Sequence, residues 1–305
     1  MNKILITGGS GFIGSHLAEF LSKKNLVTVI DNFSYGNKIR KFNKNIKIIN
    51  GDIRNFDLVK YHSRNCSSIF HLAAILGVDI VSKKHLETME CEFEGLKNVC
   101  KAAKINKVKK IIYASSSGVY GKLNYKQKVK ENAIVAPAST YSMAKRMGEI
   151  YLKSFYDLNK INSIVLRLFN VYGPRQDDRM VIPRFINQAL NNKPITIYET
   201  GADTRDFTYI DDCIKVFDLV NKKVNGFEIF NVSKERDYSI IKLAKDIKKK
   251  LNSKSKIINI KLPRELEEFQ VSKRCGDSSK IFKFIKYKPL VNLSDGLDRI
   301  IHSNI

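Results

Sequence analysis

The sequence ITGGSGFIGSH, residues 6–16, places four glycines in one short apolar stretch near the first residue. The strand-favouring run KILIT, residues 3–7, precedes it, and the helix-favouring run HLAEFL, residues 16–21, follows it. Glycine costs backbone entropy in a folded segment, so we expect it where the chain needs a backbone without a Cβ. The pattern predicts a tight glycine turn between a strand and a helix.

Strand-like and helix-like segments alternate along the N-terminal half of the chain. Apolar runs typical of strands occupy residues 4–7, 27–30, 46–49, 68–72, 110–115 and 163–168. Segments with helical periodicity lie at 86–103 and 141–156. This alternation predicts right-handed βαβ units and a parallel sheet covered on both faces. We therefore expect an α/β fold with a doubly wound parallel sheet of the Rossmann type and a smaller C-terminal α/β region.

Composition limits the classes of protein that fit this chain. Its 305 residues are 43% hydrophobic and 28% charged, which is typical of a soluble globular protein. No apolar run approaches the roughly 20 residues of a membrane span, so we expect a cytoplasmic protein with no membrane partner. The five cysteines have no metal-finger spacing, which predicts reduced thiols and no metal site.

The formal net charge of +24 raises the question of a polyanionic partner. The lysines are scattered and no aromatic residues interleave with them in a recognition module, so we expect a solvated basic surface and no nucleic acid. A surface that holds RNA or another polyanion stays open as the alternative. A small anionic substrate would also benefit from this field through faster encounter.

The glycine turn has the spacing of a dinucleotide-binding fingerprint. Gly8 permits the tight turn, Gly11 lets backbone N–H groups approach a pyrophosphate, and Gly14 lets helix and strand pack closely. Phe12 and Ile13 belong to the same turn, where the helix N-terminus offers an anion site. The alternative is a tight turn in a domain that binds no nucleotide.

Asp31 ends the second predicted strand, and Asn32 follows it. At that distance from the glycine turn a carboxylate accepts hydrogen bonds from the adenosine ribose 2′-OH and repels a 2′-phosphate. This favours NAD over NADP. The alternative is an aspartate that only stabilises a surface turn.

Two further motifs follow strands of the same predicted sheet. GDIRN, residues 51–55, follows the third strand, and HLAA, residues 71–74, ends the fourth. Ligands bind at the carboxyl ends of strands in open α/β sheets. The candidate cofactor contacts in these motifs are Asp52, Ile53, Leu72, Ala73 and Ala74. Alone, either motif is more typical of a capping aspartate or of a pair of core alanines, so its value lies in its position at the end of a strand.

The segment YSMAK places Lys145 four residues after Tyr141, so both project from one face of a helix. A phenol with a pKa of about 10 is a poor base at neutral pH. A nearby ammonium favours the phenolate. Ser116, in YASSSGVYG at the end of the fifth strand, can hold a substrate hydroxyl beside the tyrosine.

In this order, the motifs resemble those of the NAD-dependent sugar-nucleotide epimerase/dehydratase family of extended short-chain dehydrogenase/reductases. The matching stretches are TGGSGFIG, DNFSYGN, GDIRN, HLAA, SSSGVYG, PASTYSMAK, LRLFNVYGPRQ and TRDFTYIDD. The match is looser beyond Asn231. The resemblance implies that Ser116, Tyr141 and Lys145 are catalytic and that NAD is the cofactor.

The resemblance also implies a reaction. Tyr141 removes a proton from a sugar hydroxyl, usually at C4, while the hydride of that carbon passes to NAD. Ser116 orients the hydroxyl, and Lys145 binds the nicotinamide ribose. In an epimerase the 4-keto sugar rotates in the site and takes the hydride back on its other face. NAD is thereby regenerated and stays bound.

A nucleoside diphosphate carries the sugar in this family. The family motifs place Asn170 and Arg205 at its pyrophosphate, with Arg274 as a weaker candidate, and guanidinium groups suit phosphate geometry. The alternative for the two arginines is a surface ion pair with Asp206 and with Asp277, respectively.

Two departures from the family narrow the choice of reaction. Dehydratases follow the catalytic hydroxyl with Asp-Glu and decarboxylases with Glu, whereas this chain has Ser117-Gly118. Without that carboxyl group elimination lacks its proton donor, which favours a UDP-hexose 4-epimerase over a dehydratase, decarboxylase or reductase. Glu92 stands where relatives often place an asparagine near the nicotinamide. A non-catalytic NAD-binding protein with a basic RNA- or partner-binding surface is the remote alternative.

The resemblance also predicts an organisation into domains. Residues 1–169 form the NAD-binding Rossmann domain, to which 205–232 return, and residues 170–204 and 233–305 form the substrate-binding region. The family's habit predicts a homodimer through the helices at 86–103 and 141–156.

Overall fold

A seven-stranded parallel sheet organises the chain, in the strand order β11-β6-β5-β4-β1-β2-β3. The computed structural model describes residues 1–75, 77–122 and 127–304. The strands in these residues are β1 (Asn2–Thr7), β2 (Asn25–Asp31), β3 (Ile46–Asn50), β4 (Cys66–His71), β5 (Lys110–Ser116), β6 (Asn162–Leu168), β7 (Val171–Tyr172), β8 (Ile195–Tyr198), β9 (Thr204–Asp206), β10 (Thr208–Tyr209), β11 (Phe227–Val232), β12 (Asp237–Ser239) and β13 (Ile257–Ile260).

Helices connect these strands and cover the sheet. The α-helices are α1 (Phe12–Leu21), α2 (Phe56–His62), α3 (Val78–Val81), α4 (His85–Ile105), α5 (Thr140–Asn159), α6 (Val181–Leu190), α7 (Ile210–Lys223), α8 (Ile240–Lys250), α9 (Ser279–Ile285) and α10 (Leu293–Asn304). Two 3₁₀ helices span Ser117–Tyr120 and Arg264–Phe269. No helix of the described residues is both long and apolar enough to cross a membrane.

Both faces of the sheet are buried, as the apolar runs of the sequence predict. Ile4 and Ile6 of β1 pack into the larger apolar cluster with α1 and α7, whereas Leu5 packs into the second cluster with α4 and α5. Successive side chains of a strand point to opposite faces, so a strand between two helical layers must be apolar throughout. The predicted α/β fold with a doubly wound parallel sheet is therefore confirmed.

The order of the strands reverses at β1. The chain runs from β1 to β2 and β3 on one side, and crosses to β4, β5 and β6 on the other. The crevice outside the carboxyl ends of β1 and β4 is therefore the topological switch point, where open α/β sheets bind their ligands.

Short two-stranded sheets follow the large one. The pairs β7–β10 and β8–β13 are parallel, and β9–β12 is antiparallel. The helix α6 packs on α8 and on β8 beside them. This arrangement carries Arg205 in β9 and residues near Val271 towards the carboxyl ends of the main strands, where they border the same crevice.

Candidate active site

One large cavity occupies the switch point, with a volume of about 710 Å³. This lies in the upper part of the range of about 300–1,000 Å³ that small-molecule sites span. Every site residue predicted from the sequence lines it, namely Gly8, Gly11, Phe12, Ile13, Gly14, Asp31, Asn32, Asp52, Ile53, Leu72, Ala73, Ala74, Ser116, Tyr141, Lys145, Asn170, Arg205 and Arg274. The described part of the chain contains no His, Cys, Asp and Glu cluster that could hold a metal ion.

The glycine turn between β1 and α1 forms a cradle of bare backbone. Gly8 has a φ of +68°, and a Cβ there would lie 2.6 Å from the backbone of Ala73. A Cβ at Gly14 would lie 2.1 Å from the Gly8 carbonyl oxygen. At Gly11 a Cβ would meet only that carbonyl oxygen, at 3.4 Å, so a longer side chain would extend into the cavity. The turn thus fits a group that approaches the backbone closely, such as a pyrophosphate.

Asp31 connects the end of β2 to the glycine turn. Its Oδ2 accepts a hydrogen bond from the Ser10 N–H and its Oδ1 accepts one from the Phe33 N–H, both at 2.9 Å. Burial raises the pKa of this carboxyl group, and the backbone N–H groups partly offset the effect. The side chain therefore stabilises a turn, as the alternative proposed, and also lines the cavity with oxygens that can accept ribose hydroxyls.

Asp52 has a partner that the motif GDIRN did not by itself assign. Arg54 donates to both carboxylate oxygens, with Nη2 at 2.6 Å from Oδ2 and Nε at 3.1 Å from Oδ1. This arginine lowers the pKa of Asp52 and lines the cavity as well. A planar guanidinium at this point adds a flat, charged surface to the wall.

The helix α5 brings Tyr141 and Lys145 to the cavity. A capping box fixes its start, because the Ser139 side chain accepts from the Ser142 N–H while Ser142 Oγ accepts from the Ser139 N–H. Tyr141 therefore lies in the first turn, and Lys145 follows one turn later with its Nζ 5.6 Å from the centroid of the Tyr141 ring. Both side chains line the cavity beside Ser116 at the end of β5.

Glu92 of α4 forms an ion pair with Lys145 that the sequence did not predict. Its Oε2 lies 2.8 Å from Lys145 Nζ, and the two side chains are 0% and 1% exposed. Apart from this ion pair, neither Oε1 nor Oε2 has a hydrogen-bond partner among the described residues. Burial raises the pKa of Glu92, and Lys145 opposes this effect. The pKa of Lys145 is raised despite its burial, chiefly because Glu92 stabilises the ammonium.

The pKa of Tyr141 reflects four opposing effects. Burial raises it most, and the negative charge of Glu92 raises it further. The Lys145 ammonium and a hydrogen bond with Ser116 lower it. Lys145 thus favours the phenolate as the sequence predicted, but burial outweighs it, and the protein's own groups leave the pKa of Tyr141 above its ordinary value.

Two further buried rings, those of His71 and Tyr113, lie behind Tyr141 and Lys145. The His71 ring stacks on Tyr113 with centroids 5.7 Å apart, and Lys145 Nζ is 4.9 Å from the Tyr113 centroid. His71 Nδ1 lies 2.7 Å from the Thr7 hydroxyl. Burial lowers the pKa of His71 to about 3, with a smaller contribution from Lys145, so the ring is neutral at physiological pH.

The part of the cavity wall that comes from the C-terminal region contains the two predicted arginines, Arg205 and Arg274. Arg205 donates to the carbonyl oxygens of Thr204, at 2.8 Å, and Val271, at 2.6 Å. Arg274 donates to the Gly121 carbonyl oxygen. Asp206 turns away and accepts from backbone N–H groups, including that of Gly276.

The structure therefore contradicts the alternative that these arginines only form surface ion pairs. Neither Arg205–Asp206 nor Arg274–Asp277 is an ion pair within the residues that the structure describes. Instead, backbone carbonyl oxygens accept hydrogen bonds from both guanidinium groups at the cavity wall.

Sequence patterns also missed several residues of the wall, such as Tyr35, Arg54, Glu87, Asp177, Arg179 and Glu268. Arg179 pairs with Asp177 at 2.6 Å and stacks over the Tyr35 ring, 5.0 Å from its centroid. The motif DNFSYGN, which contains Tyr35, was recognised in the sequence. Its local pattern did not indicate which of its side chains lines the cavity.

Comparisons with known proteins agree with this geometry. The model of the NAD-dependent epimerase/dehydratase family matches residues 4–233. A UDP-N-acetyl-alpha-D-glucosaminuronate decarboxylase of Bacillus cytotoxicus is 36% identical and covers 98% of this chain and 96% of its own. A putative UDP-glucose 4-epimerase of Methanocaldococcus jannaschii is 33% identical, over 98% of this chain and 97% of its own.

Solved structures show the same likeness. The crystal structure of UDP-glucose 4-epimerase from Thermotoga maritima, with UDP-glucose, superposes with a TM-score of 0.93 at 28% identity. The match covers 98% of this chain and 97% of that one.

Proposed function

The chain belongs to the NAD-dependent epimerase/dehydratase family, and on that premise we propose that it is a nucleoside-diphosphate-sugar epimerase acting at C4 of a UDP-hexose. One observation carries the proposal. The tyrosine, lysine and serine of a hydride-transfer site line the same cavity as a glycine cradle for a dinucleotide. A protein that only bound NAD would have no use for a buried phenol beside a buried ammonium.

Each catalytic side chain has a task that its surroundings support. Tyr141 takes the proton of the sugar hydroxyl, and Ser116 holds that hydroxyl in place. Lys145 stabilises the phenolate and holds the ribose of the cofactor. Bound NAD would supply the acceptor for the C4 hydride and the donor for its return, and its positive ring would favour the phenolate further.

The position after Ser116 favours epimerisation over elimination. Ser117 and Gly118 occupy the two places where dehydratases of the family have carboxyl groups. A Cβ at Gly118 would lie 3.3 Å from Ser116 Oγ and 3.3 Å from Ser142 Cβ, so this site is too tight for a larger side chain without a shift. Without an acid at this point, the ketone has no nearby proton donor for the loss of water.

A decarboxylase is the second candidate, because a relative at 36% identity bears that name. Decarboxylation of a 4-keto uronate needs the same first oxidation step, so Ser116, Tyr141 and Lys145 serve both reactions. The missing carboxyl group after Ser116 disfavours it, as it disfavours the dehydratase.

Product analysis separates these reactions. Purified protein is incubated in turn with UDP-glucose, UDP-N-acetylglucosamine and the corresponding uronates, and the sugars are followed by NMR. We expect a C4 epimer with no net change in NADH absorbance. A pentose or other decarboxylated product, a 4-keto-6-deoxy sugar, or net formation of NADH would contradict the epimerase.

NAD as the cofactor follows from the family, and Asp31 supports it over NADP. We propose that Asn170, Arg205 and Arg274 bind the pyrophosphate of the substrate, since all three line the cavity and backbone carbonyl oxygens hold both guanidinium groups at its wall. Denaturing the purified protein and identifying the released nucleotide tests the cofactor. Arg205→Gln should raise KM for the UDP-sugar with a smaller effect on the amount of NAD bound.

We also propose a homodimer through α4 and α5. These helices pack on each other, and large apolar side chains on them remain exposed, including Leu86 at 79%, Ile150 at 53% and Met143 at 48%. Light scattering after gel filtration should give twice the chain mass. Ile150→Glu should shift the protein towards monomer, and a monomeric wild-type protein would contradict the proposal.

A further inference from the structure

Glu92 is a buried carboxylate that meets the catalytic lysine from the side of α4. It lies on a helix whose other acidic residues include Glu87 and Glu94, which are half-exposed and pair with the nearby lysines Lys84 and Lys97. Glu92 instead reaches Lys145 on α5, at 2.8 Å. An isolated carboxylate is costly to bury, so this position requires the lysine, and the lysine is fixed by it.

The groups around Lys145 come from four elements. Tyr141 lies on the same helix, Tyr113 on β5, His71 on β4 and Glu92 on α4, with Cys91 as the neighbour of Glu92. The imidazole is neutral and the thiol is protonated, because burial disfavours the charged form of each. Glu92 is thus the negative charge that contacts the ammonium.

We propose that Glu92 is a positioning residue that holds the Lys145 ammonium beside Tyr141 and sets the pH range in which Tyr141 can act as the base. The inference rests on the proposed function, because it assigns Glu92 a role through the catalytic pair. Glu92 does not line the cavity, and it acts on substrate only through Lys145.

The charge of Glu92 has two consequences for this pair. It keeps the lysine protonated to higher pH than burial alone would allow, and it opposes the loss of the proton from Tyr141. A neutral side chain of the same shape removes both effects. Tyr141 then ionises at lower pH, and Lys145 also loses its proton at lower pH.

Both limits of the pH–rate profile therefore report on Glu92. With Glu92→Gln we expect the acid limit and the alkaline limit of kcat to move to lower pH by about 1–3 units, the range that a charge in contact produces. Glu92→Asp keeps the charge on a shorter side chain, so its limits should stay near those of wild type even where kcat falls. Glu94→Gln makes the same charge change on the exposed side of α4 and should leave kcat and both limits unchanged.

A structural role alone would give a different result. If Glu92 only stabilised the packing of α4 on α5, Glu92→Gln would lower the folded fraction or kcat with unmoved pH limits, and that outcome would overturn the proposal. Glu92→Asn gives a second neutral variant if Glu92→Gln does not fold, and the same shift is expected for it.

A titration without substrate separates this proposal from the proposed function. Phenolate absorbance is recorded against pH in wild type and Glu92→Gln, and the spectrum of the matching Tyr141→Phe variant is subtracted from each. We expect Tyr141 to ionise at lower pH in Glu92→Gln. If the protein does not act on UDP-hexoses but this shift occurs, the proposed function fails and the role of Glu92 stands. If epimerisation occurs but the titration does not move, the role of Glu92 fails alone.

Discussion

Two buried ion pairs on α5 differ in how completely they are satisfied. Glu149 receives hydrogen bonds from Arg167 at both oxygens, at 2.9 and 2.8 Å, and further ones from Ser115 and Arg146. Lys145, one turn earlier, has a single contact with Glu92, whose second oxygen is unpartnered among the described residues.

The difference supports the roles proposed for the two pairs, a structural one for Glu149 with Arg167 and a functional one for Glu92 with Lys145. The Arg167 guanidinium also donates to the Tyr120 hydroxyl and to the Glu131 carbonyl, so the Glu149 network joins β5, α5 and β6 and each nitrogen of the guanidinium donates. The Lys145 ammonium lines the cavity and faces two tyrosine rings. Because Lys145 has one carboxylate contact and lines the cavity, its ammonium can also bind a ligand there.

The largest contrast is expected in catalysis. Tyr141→Phe removes the base, and general-base catalysis contributes about 10²–10⁴-fold, so turnover of the UDP-sugar should fall by at least that factor. The variant should retain bound NAD and the wild-type folding stability, measured by nucleotide release and by urea unfolding. Arg146→Gln is the control, because it removes a half-exposed partner of Glu149 in the other ion pair. We expect this variant to keep its turnover. Equal activity of Tyr141→Phe and wild type would refute the assignment of the base.

The next contrast is in folding stability. Glu149→Gln leaves the Arg167 guanidinium buried without its carboxylate, and arginine cannot shed its proton, so we expect a loss of about 3–5 kcal/mol in the free energy of unfolding. Glu92→Gln should cost less, because the Lys145 ammonium keeps its contacts with the Tyr113 and Tyr141 rings and lines the cavity. Urea unfolding of both variants measures the two losses, and equal losses would remove the distinction between the pairs.

A smaller effect is expected from the buried histidine beside Lys145. The pKa of His71 falls from 6.5 to about 3 on folding, so below pH 6.5 the unfolded chain binds a proton that the folded chain does not. His71 therefore contributes stability above pH 6.5 that is lost as the pH falls towards 3, by about 1.4 kcal/mol per pH unit. Between pH 7 and 5 wild type should lose about 2 kcal/mol more than His71→Gln, measured by urea unfolding. Parallel losses would show that His71 is protonated in the folded protein.

The smallest effect is expected at an exposed pair on α4. Lys97 and Glu94 lie 3.3 Å apart with side chains 49% and 45% exposed. Such pairs contribute about 0.3–0.5 kcal/mol, so Lys97→Gln should change the free energy of unfolding by no more than that. A larger loss would mean that burial is not what makes the other two pairs important.

The sequence predicted the N-terminal half of the site well, because backbone geometry restricts its residues. Gly8 and Gly14 stand where a Cβ would collide with backbone, and Asp31 ends a strand. The spacing of Tyr141 and Lys145 on a helix follows from the period of 3.6 residues. These relations are local, so a short motif contains them.

The remainder of the site depends on contacts between distant segments. Glu92 was recognised as a departure from its relatives, but its ion pair with Lys145 requires the packing of α4 on α5. Arg205 donates a hydrogen bond to Val271, which lies 66 residues later in the chain, and no local sequence pattern predicts such a contact. Lys145 lowers the pKa of Tyr141 as predicted, but the larger rise caused by burial could not be predicted, because a sequence contains no measure of burial.

In the function proposed above, Tyr141 and Lys145 support a hydride transfer that is reversed on the same sugar. The most direct test uses a UDP-hexose with deuterium at C4, incubated with the purified protein in ordinary water and analysed by NMR and mass spectrometry. We predict a C4 epimer that retains the deuterium at C4, and no such product from Tyr141→Phe. An epimer that has lost the deuterium to solvent, or a labelled sugar that keeps its original configuration, would contradict a reversible hydride transfer.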